Sequence, residues 1–187
     1  MEKVGEDDSM IDIGVDRDGE SLRMLVAQAL RSYPIDSLHL FLDDGNVLVR
    51  TAAARQIQIH GSEKSFNYAV VLLSDKRAFV REIGVFILGQ HGTPHYPYKA
   101  ESIPLIIERL VSDKSGAVRA AAAAALGHLK AFDALDVLID AASDKSADVR
   151  SCVAFSLTVM KRRARAREAL QILKNDENAE VRFWAGD

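Results

Sequence analysis

A single cysteine in 187 residues, Cys152, excludes an internal disulfide framework and any cysteine-built zinc site. Aromatic residues make up only 6%, and four prolines with 11 glycines exclude collagen-like and low-complexity chains. No apolar run, Ala120–Leu126 included, approaches the roughly 18 residues that a membrane span needs. The start, Met1-Glu-Lys-Val-Gly-Glu-Asp-Asp8, has neither a basic stretch nor an apolar core, so no secretory signal is expected and the cytoplasm is the expected compartment. A strong charge of one sign is missing as well. The net charge is −3, with eight acids and two bases in residues 1–20 against 22 bases and 19 acids in the rest. That pattern predicts an acidic, solvated N-terminal tail, or one that docks on a basic partner, before a single domain over 21–187. The body is too weakly basic to argue for nucleic acid. Apolar residues are plentiful at 48%, enough to bury a core in one domain.

The strongest signal is a repeat. Arg50, Arg81, Arg119, Arg150 and Arg182 lie 31, 38, 31 and 32 residues apart. Each is preceded immediately by a valine (Val49, Val80, Val118, Val149, Val181) and six residues earlier by an aspartate (Asp44, Asp75, Asp113, Asp144, Asp176). Three residues after each arginine comes Ala53, Gly84, Ala122, Val153 or Ala185, all small or β-branched. Each copy reads as two helices. The one carrying Val-Arg is apolar at helical spacing, as in Val118, Ala122, Leu126 and Leu129. A shorter apolar segment precedes it, such as Ile103–Val111 or Leu135–Ala142, and a polar, Asp-bearing turn joins the two. Such a hairpin cannot bury its apolar face alone, whereas stacked copies can. Nothing alternates with period two for long enough to suggest a sheet. An all-α solenoid of about five hairpins is expected, with residues 21–33 as an added capping helix before Pro34. The chain stops at Phe183-Trp-Ala-Gly-Asp187, within the fifth Val-Arg helix, so the last repeat reads as truncated.

The pattern Asp-x-x-x-x-Val-Arg-x-x-Ala, with Ala125-Leu126-Gly127 after one copy, resembles the HEAT repeats, especially their short bacterial branch. The resemblance spans roughly residues 34–187 and implies a right-handed solenoid with the Val-Arg helices on its concave side. It also implies that Asp44, Asp75, Asp113, Asp144 and Asp176 meet Arg50, Arg81, Arg119, Arg150 and Arg182 of adjoining turns in a ladder. More narrowly, Leu73-Ser-Asp-Lys-Arg-Ala-Phe-Val-Arg-Glu-Ile-Gly-Val-Phe-Ile-Leu-Gly-Gln90 and Asp144-Lys-Ser-Ala-Asp-Val-Arg-Ser-Cys-Val-Ala-Phe-Ser-Leu157 resemble HEAT-repeat proteins encoded beside Rhs toxins of type VI secretion systems. Those are regarded as immunity proteins. The implied function is therefore non-enzymatic: binding and occluding a cognate toxin domain. Two alternatives share the repeat, a DNA-binding or DNA-repair HEAT protein and a phycobilin-lyase-like assembly factor.

Chemistry has few carriers. No His-Glu-x-x-His, phosphate-loop or calcium-loop motif is present, so no catalytic residue, metal or cofactor is expected. His60, His91 and His128 fall near the ends of Val-Arg helices, where a cationic imidazole would complement the helix dipole. Cys152 reads as a packing residue. If the positions three and seven after the anchor arginine are buried, those one and five after it face the groove. They carry Thr51 and Arg55, Glu82 and Phe86, Ala120 and Ala124, Ser151 and Phe155. Two further features interrupt the repeat. The long interval holds Gly92-Thr-Pro-His-Tyr-Pro-Tyr-Lys99, where Tyr96 and Tyr98 would either join the partner surface or cover a repeat junction. Lys161–Arg167 carries five bases in seven residues and is either a solvated turn or a contact for phosphate or an acidic surface.

Overall fold

The structure, a computed structural model, describes residues 17–186, with side chains from residue 20 onward. Of the acidic segment 1–20, residues 1–16 lie outside the described residues. Among the described residues every regular element is a helix, as the repeat pattern predicts. The first, α1 (Arg17–Leu30), begins one turn ahead of the expected cap, and Pro34 then serves as the N-cap of the short α2 (Ile35–Leu38). A 3-10 segment (His39–Asp43) completes the first outer strut, and α3 (Val47–His60) is the first Val-Arg helix. The pairs that follow are α4 (Glu63–Leu72) with α5 (Ala78–Gln90) and α6 (Lys99–Ser112) with α7 (Gly116–His128). The fourth pair is α8 (Leu135–Ala141) with α9 (Ala147–Val159), and the fifth α10 (Ala164–Leu173) with α11 (Ala179–Ala185).

The five Val-Arg helices α3, α5, α7, α9 and α11 stack on one another as an inner layer, and the preceding helices lie outside them. Ile57, Ile83, Ile87, Leu88, Ile106, Leu126, Leu138 and Leu157 fill the space between the layers and are fully buried. The inner helices approach closely because small residues face each other. A Cβ added to Gly89 of α5 would stand 2.6 Å from the Ala125 Cβ of α7, and one on Gly127 of α7 would stand 3.0 Å from the Ser156 Cα of α9. The outer helices touch one another far less, so the array closes toward its inner side, which becomes the groove.

The ladder has two parts. Within each repeat the arginine donates to the backbone oxygen of its own aspartate, from Arg50 to Asp44 (2.7 Å) through Arg182 to Asp176 (2.7 Å). Between repeats the guanidinium forks onto the next carboxylate: Arg81 onto Asp113, Arg119 onto Asp144 and Arg150 onto Asp176, all at 2.7–2.9 Å. Each aspartate also accepts the N–H two residues on, which sets the turn into the inner helix. The expected first rung does not form. Arg77 takes both oxygens of Asp75, leaving Arg50 over the Phe79 ring at 5.6 Å with its buried Nε unpartnered. Among the described residues the Asp44 carboxylate pairs with no arginine, and the Arg182 guanidinium meets no carboxylate.

The long interval is a packed turn. The Gly92 N–H donates to the Gln58 carbonyl (2.8 Å), and Gly92 lies so close to Gly61 that a side chain on Gly61 would collide with its backbone. Tyr98 stacks on Phe66 at 4.7 Å between ring centroids, and Tyr96 packs against the core. Both tyrosines are half-buried over a repeat junction, which is the second of the two readings of this interval.

Candidate partner-binding groove

The surface of the inner layer is set by which helical positions escape the neighbouring helices. The plus-five position does: Arg55 is exposed, and Phe86, Ala124 and Phe155 are half-buried. The plus-one position mostly does not. Thr51 (7% exposed), Ala120 (7%) and Ser151 (5%) turn into the seams between inner helices, so the expectation that Thr51 and Ser151 face a partner is corrected. Close stacking of small residues narrows those seams and swallows short side chains, whereas the longer Glu82 at the same position reaches out. The positions two before, two after and nine after the arginine complete the open face, with Asp148 and Glu180, Cys152 and Trp184, and Ile59 and His128. Centring the stripe one residue further along would have found them.

These rows place an aromatic series across three helices. His128 of α7 lies 5.2 Å from Phe155 of α9, which meets Trp184 of α11 edge to face at 5.3 Å. Phe183, 67% exposed, continues from Trp184 at 5.3 Å. Toward α5 the surface flattens, because α7 offers only Ala117, Ala121 and Ala124 between Phe86 and Phe155. The result is an apolar strip with an alanine floor and aromatic shoulders.

Glu82 stands at the edge of that floor. Its side chain makes no hydrogen bond or ion pair among the described residues, and burial raises its pKa to about 7 despite the opposing charge of Arg50. Cys152, across the floor, is pushed up to about 12 by burial and by the carboxylates of Glu180, Asp148 and Glu82. Such a thiol is a poor nucleophile. The histidines correct another expectation. Burial lowers the pKa of His91, aided by His60, and burial lowers His128 as well, so both favour the neutral form over a cation serving the helix dipole. His91 is 2% exposed, and its Nε2 lies 2.7 Å from Ser65 Oγ. Ser65 is fully buried and its hydroxyl donates to the Ser62 carbonyl, so the pair ties α4 to α5 and cannot meet a substrate. Among the described residues no three His, Cys, Asp or Glu side chains could together hold a metal ion, and no helix is long and apolar enough to cross a membrane.

The basic run is largely spent on its own surroundings. Arg165 pairs with Asp136, Arg163 lies over the Phe132 ring at 5.8 Å, and Arg167 donates to the carbonyls of Lys161 and Arg162.

Comparison with known proteins agrees with this architecture. A family model described as HEAT repeats matches residues 103–187. Protein YibA of Escherichia coli (strain K12) is 32% identical over 158 residues, which cover 80% of this chain and 55% of the relative. The chain thus spans about half the length of the curated relatives it matches. The X-ray structure of YibA superposes with a TM-score of 0.56 at 24% identity over 91% of this chain and 73% of that one. The CpcE–CpcF complex of phycocyanin lyase from Nostoc sp. PCC7120 gives 0.66 at 18% identity, over 81% of this chain and 95% of that one. A designed armadillo repeat protein in complex with the peptide (KR)4 gives 0.52 at 16% identity, over 94% and 93%. At such identities all three structures show a shared fold alone.

Proposed function

We propose that this HEAT-like repeat protein is a non-enzymatic binding scaffold whose inner groove holds one protein partner. We further propose that the partner is a cognate toxin domain, occluded in the cytoplasm. The observation that carries the scaffold reading is the row His128–Phe155–Trp184, three rings from three successive inner helices offered on one open face of a rigid array. Aromatic anchors on a rigid surface supply hot-spot energy at low entropic cost. The toxin reading draws on the resemblance of Leu73–Gln90 and Asp144–Leu157 to HEAT-repeat proteins encoded beside Rhs toxins. Occlusion requires only that the groove cover an active surface, and it asks no chemistry of the scaffold. A phycobilin-lyase-like role has only the shared fold behind it. Against a DNA-binding role, the groove face carries Glu82, Asp148 and Glu180 beside the single exposed Arg55.

The test is co-expression with the product of the adjacent gene, followed by titration of purified variants. Phe155→Ala and Trp184→Ala should each weaken binding by about 30-fold, chiefly through faster dissociation, with the helical circular dichroism retained. Phe86→Ala should weaken it less, because Phe86 is packed partly into the core. Rescue of growth against the toxin should fall in the same order. Wild-type affinity in the Phe155 and Trp184 variants would remove the groove from the partner surface.

A further inference from the structure

On α5, α7, α9 and α11 the charged side chains are four anchor arginines, Glu82, Asp148 and Glu180, beside a histidine whose neutral form is favoured. Arg81, Arg119, Arg150 and Arg182 all turn back to the carbonyl of their own repeat's aspartate, and three of them also grip a carboxylate of the next repeat. The three acids are the reverse. Glu82, Asp148 and Glu180 come from three different helices, and none has a hydrogen-bond or ion-pair partner for its side chain among the described residues. Their fields meet at Cys152, between the alanine floor of α7 and the Phe155–Trp184 shoulder. From α5 to α11 the groove is thus an apolar, aromatic-edged strip whose charged side chains without a hydrogen-bond or ion-pair partner among the described residues are carboxylates, with the exposed Arg55 beyond it on α3.

We infer that the groove takes a cationic segment of its protein partner, with lysine or arginine stems lying on the alanine floor between Phe86 and Phe155. The charged heads then meet Glu82, Asp148 and Glu180. The chemistry fits both halves of such side chains. Their methylenes need flat apolar surface, and their heads need carboxylates or ring faces. The same sign of charge repels nucleic acid. This inference rests on the groove being the partner surface and adds the partner's chemistry to it.

Fluorescein-labelled octa-arginine is the first probe, with octa-glutamate as control, titrated by anisotropy at about 0.15 M salt and at a pH above 8, where Glu82 is ionised. Octa-arginine should bind and octa-glutamate should not. Glu82→Gln, Asp148→Asn and Glu180→Gln should each weaken octa-arginine about threefold to fivefold, and the triple variant about tenfold or more. A control triple on the outer helices, Glu63→Gln, Glu101→Gln and Glu168→Gln, carries the same net charge change and should leave affinity within about twofold. Equal loss from both triples, or no octa-arginine binding by the wild type, would overturn the inference. The cognate partner separates the two readings. If Phe155→Ala abolishes its capture and the groove triple does not, the scaffold proposal stands and the cationic segment is refuted. Loss in both supports both.

Discussion

Glu82 is a residue whose charge works against the fold. An unpaired carboxylate on a half-buried site is stabilised in its neutral form, and its pKa rises to about 7. The folded state then binds a proton that the unfolded state, with an ordinary glutamate, has already lost above pH 5. Stability contributed by the raised pKa is complete below about pH 4.5 and is lost as pH climbs through 7. Arg50 faces Glu82 from α3 and opposes the shift, while the Cys152 thiol, pushed up to about 12, stays neutral across this range. Glu82→Gln should therefore melt above wild type at pH 8 by about 1–3 kcal/mol, with the gap closing at pH 5. Thermal melts at the two pH values check it, and a variant no more stable at pH 8 would mean that solvent reaches the carboxylate freely. A residue that costs stability where it sits is what a binding surface is expected to contain. Arg119 is the opposite case, because its fork joins two repeats at a largely buried rung. Arg119→Ala strands Asp144 and should cost about 1–3 kcal/mol by denaturant unfolding.

At the scale of elements, the inner helices are held at a distance set by glycine and alanine. Gly89→Ala gains roughly 1 kcal/mol of helix propensity. The new methyl, however, would lie 2.6 Å from the Ala125 Cβ and 3.0 Å from its Cα, neither of which can rotate away. Helices α5 and α7 must then separate, so a net loss of about 1–3 kcal/mol is expected from the melting transition. A stabilised variant would show that the two helices slide freely. The same close approach buries Thr51, Ala120 and Ser151, and it makes the groove floor a sheet of methyls rather than a wall of side chains. The Gly92–Tyr98 turn belongs to this scale too. A Tyr96→Ala, Tyr98→Ala double variant should lower the melting temperature while leaving partner affinity unchanged, because Tyr98 stacks inward on Phe66.

For the molecule as a whole, cohesion between repeats depends on three aspartates kept ionised. Burial alone would raise Asp113, but hydrogen bonds from Arg81 and from the Ser115 N–H overcome it, and the pKa falls below 3.8. Asp144 is lowered mainly by Arg119, and Asp176 mainly by Arg150. Depressed carboxylates contribute stability that is present above the ordinary value of 3.8 and disappears as pH falls through the lower folded values. Acid unfolding should accordingly set in below pH 4, and Asp113→Asn should raise its midpoint. An unchanged midpoint would reduce the ladder to solvated charge.

The sequence by itself determined the helical class, the number of hairpins and the Asp-bearing turns, because these follow from local spacing repeated five times. One helical period, one turn-setting aspartate and one anchoring arginine per copy suffice for that. Phe86, Phe155 and Glu82 were legible on the groove for the same reason, since a helical offset needs no knowledge of neighbours. Tertiary structure alone decided the rest. It buried Thr51 and Ser151 in seams whose width depends on Gly89, Gly127 and the alanines of adjacent helices. It folded Tyr96 and Tyr98 inward, and it gave Asp75 to Arg77 in place of Arg50. It also set Glu82, Asp148 and Glu180, from α5, α9 and α11, close enough to Cys152 to raise the pKa of its thiol. Spacing along one helix specifies which way a side chain points, but only the distance to the next helix decides whether it reaches solvent.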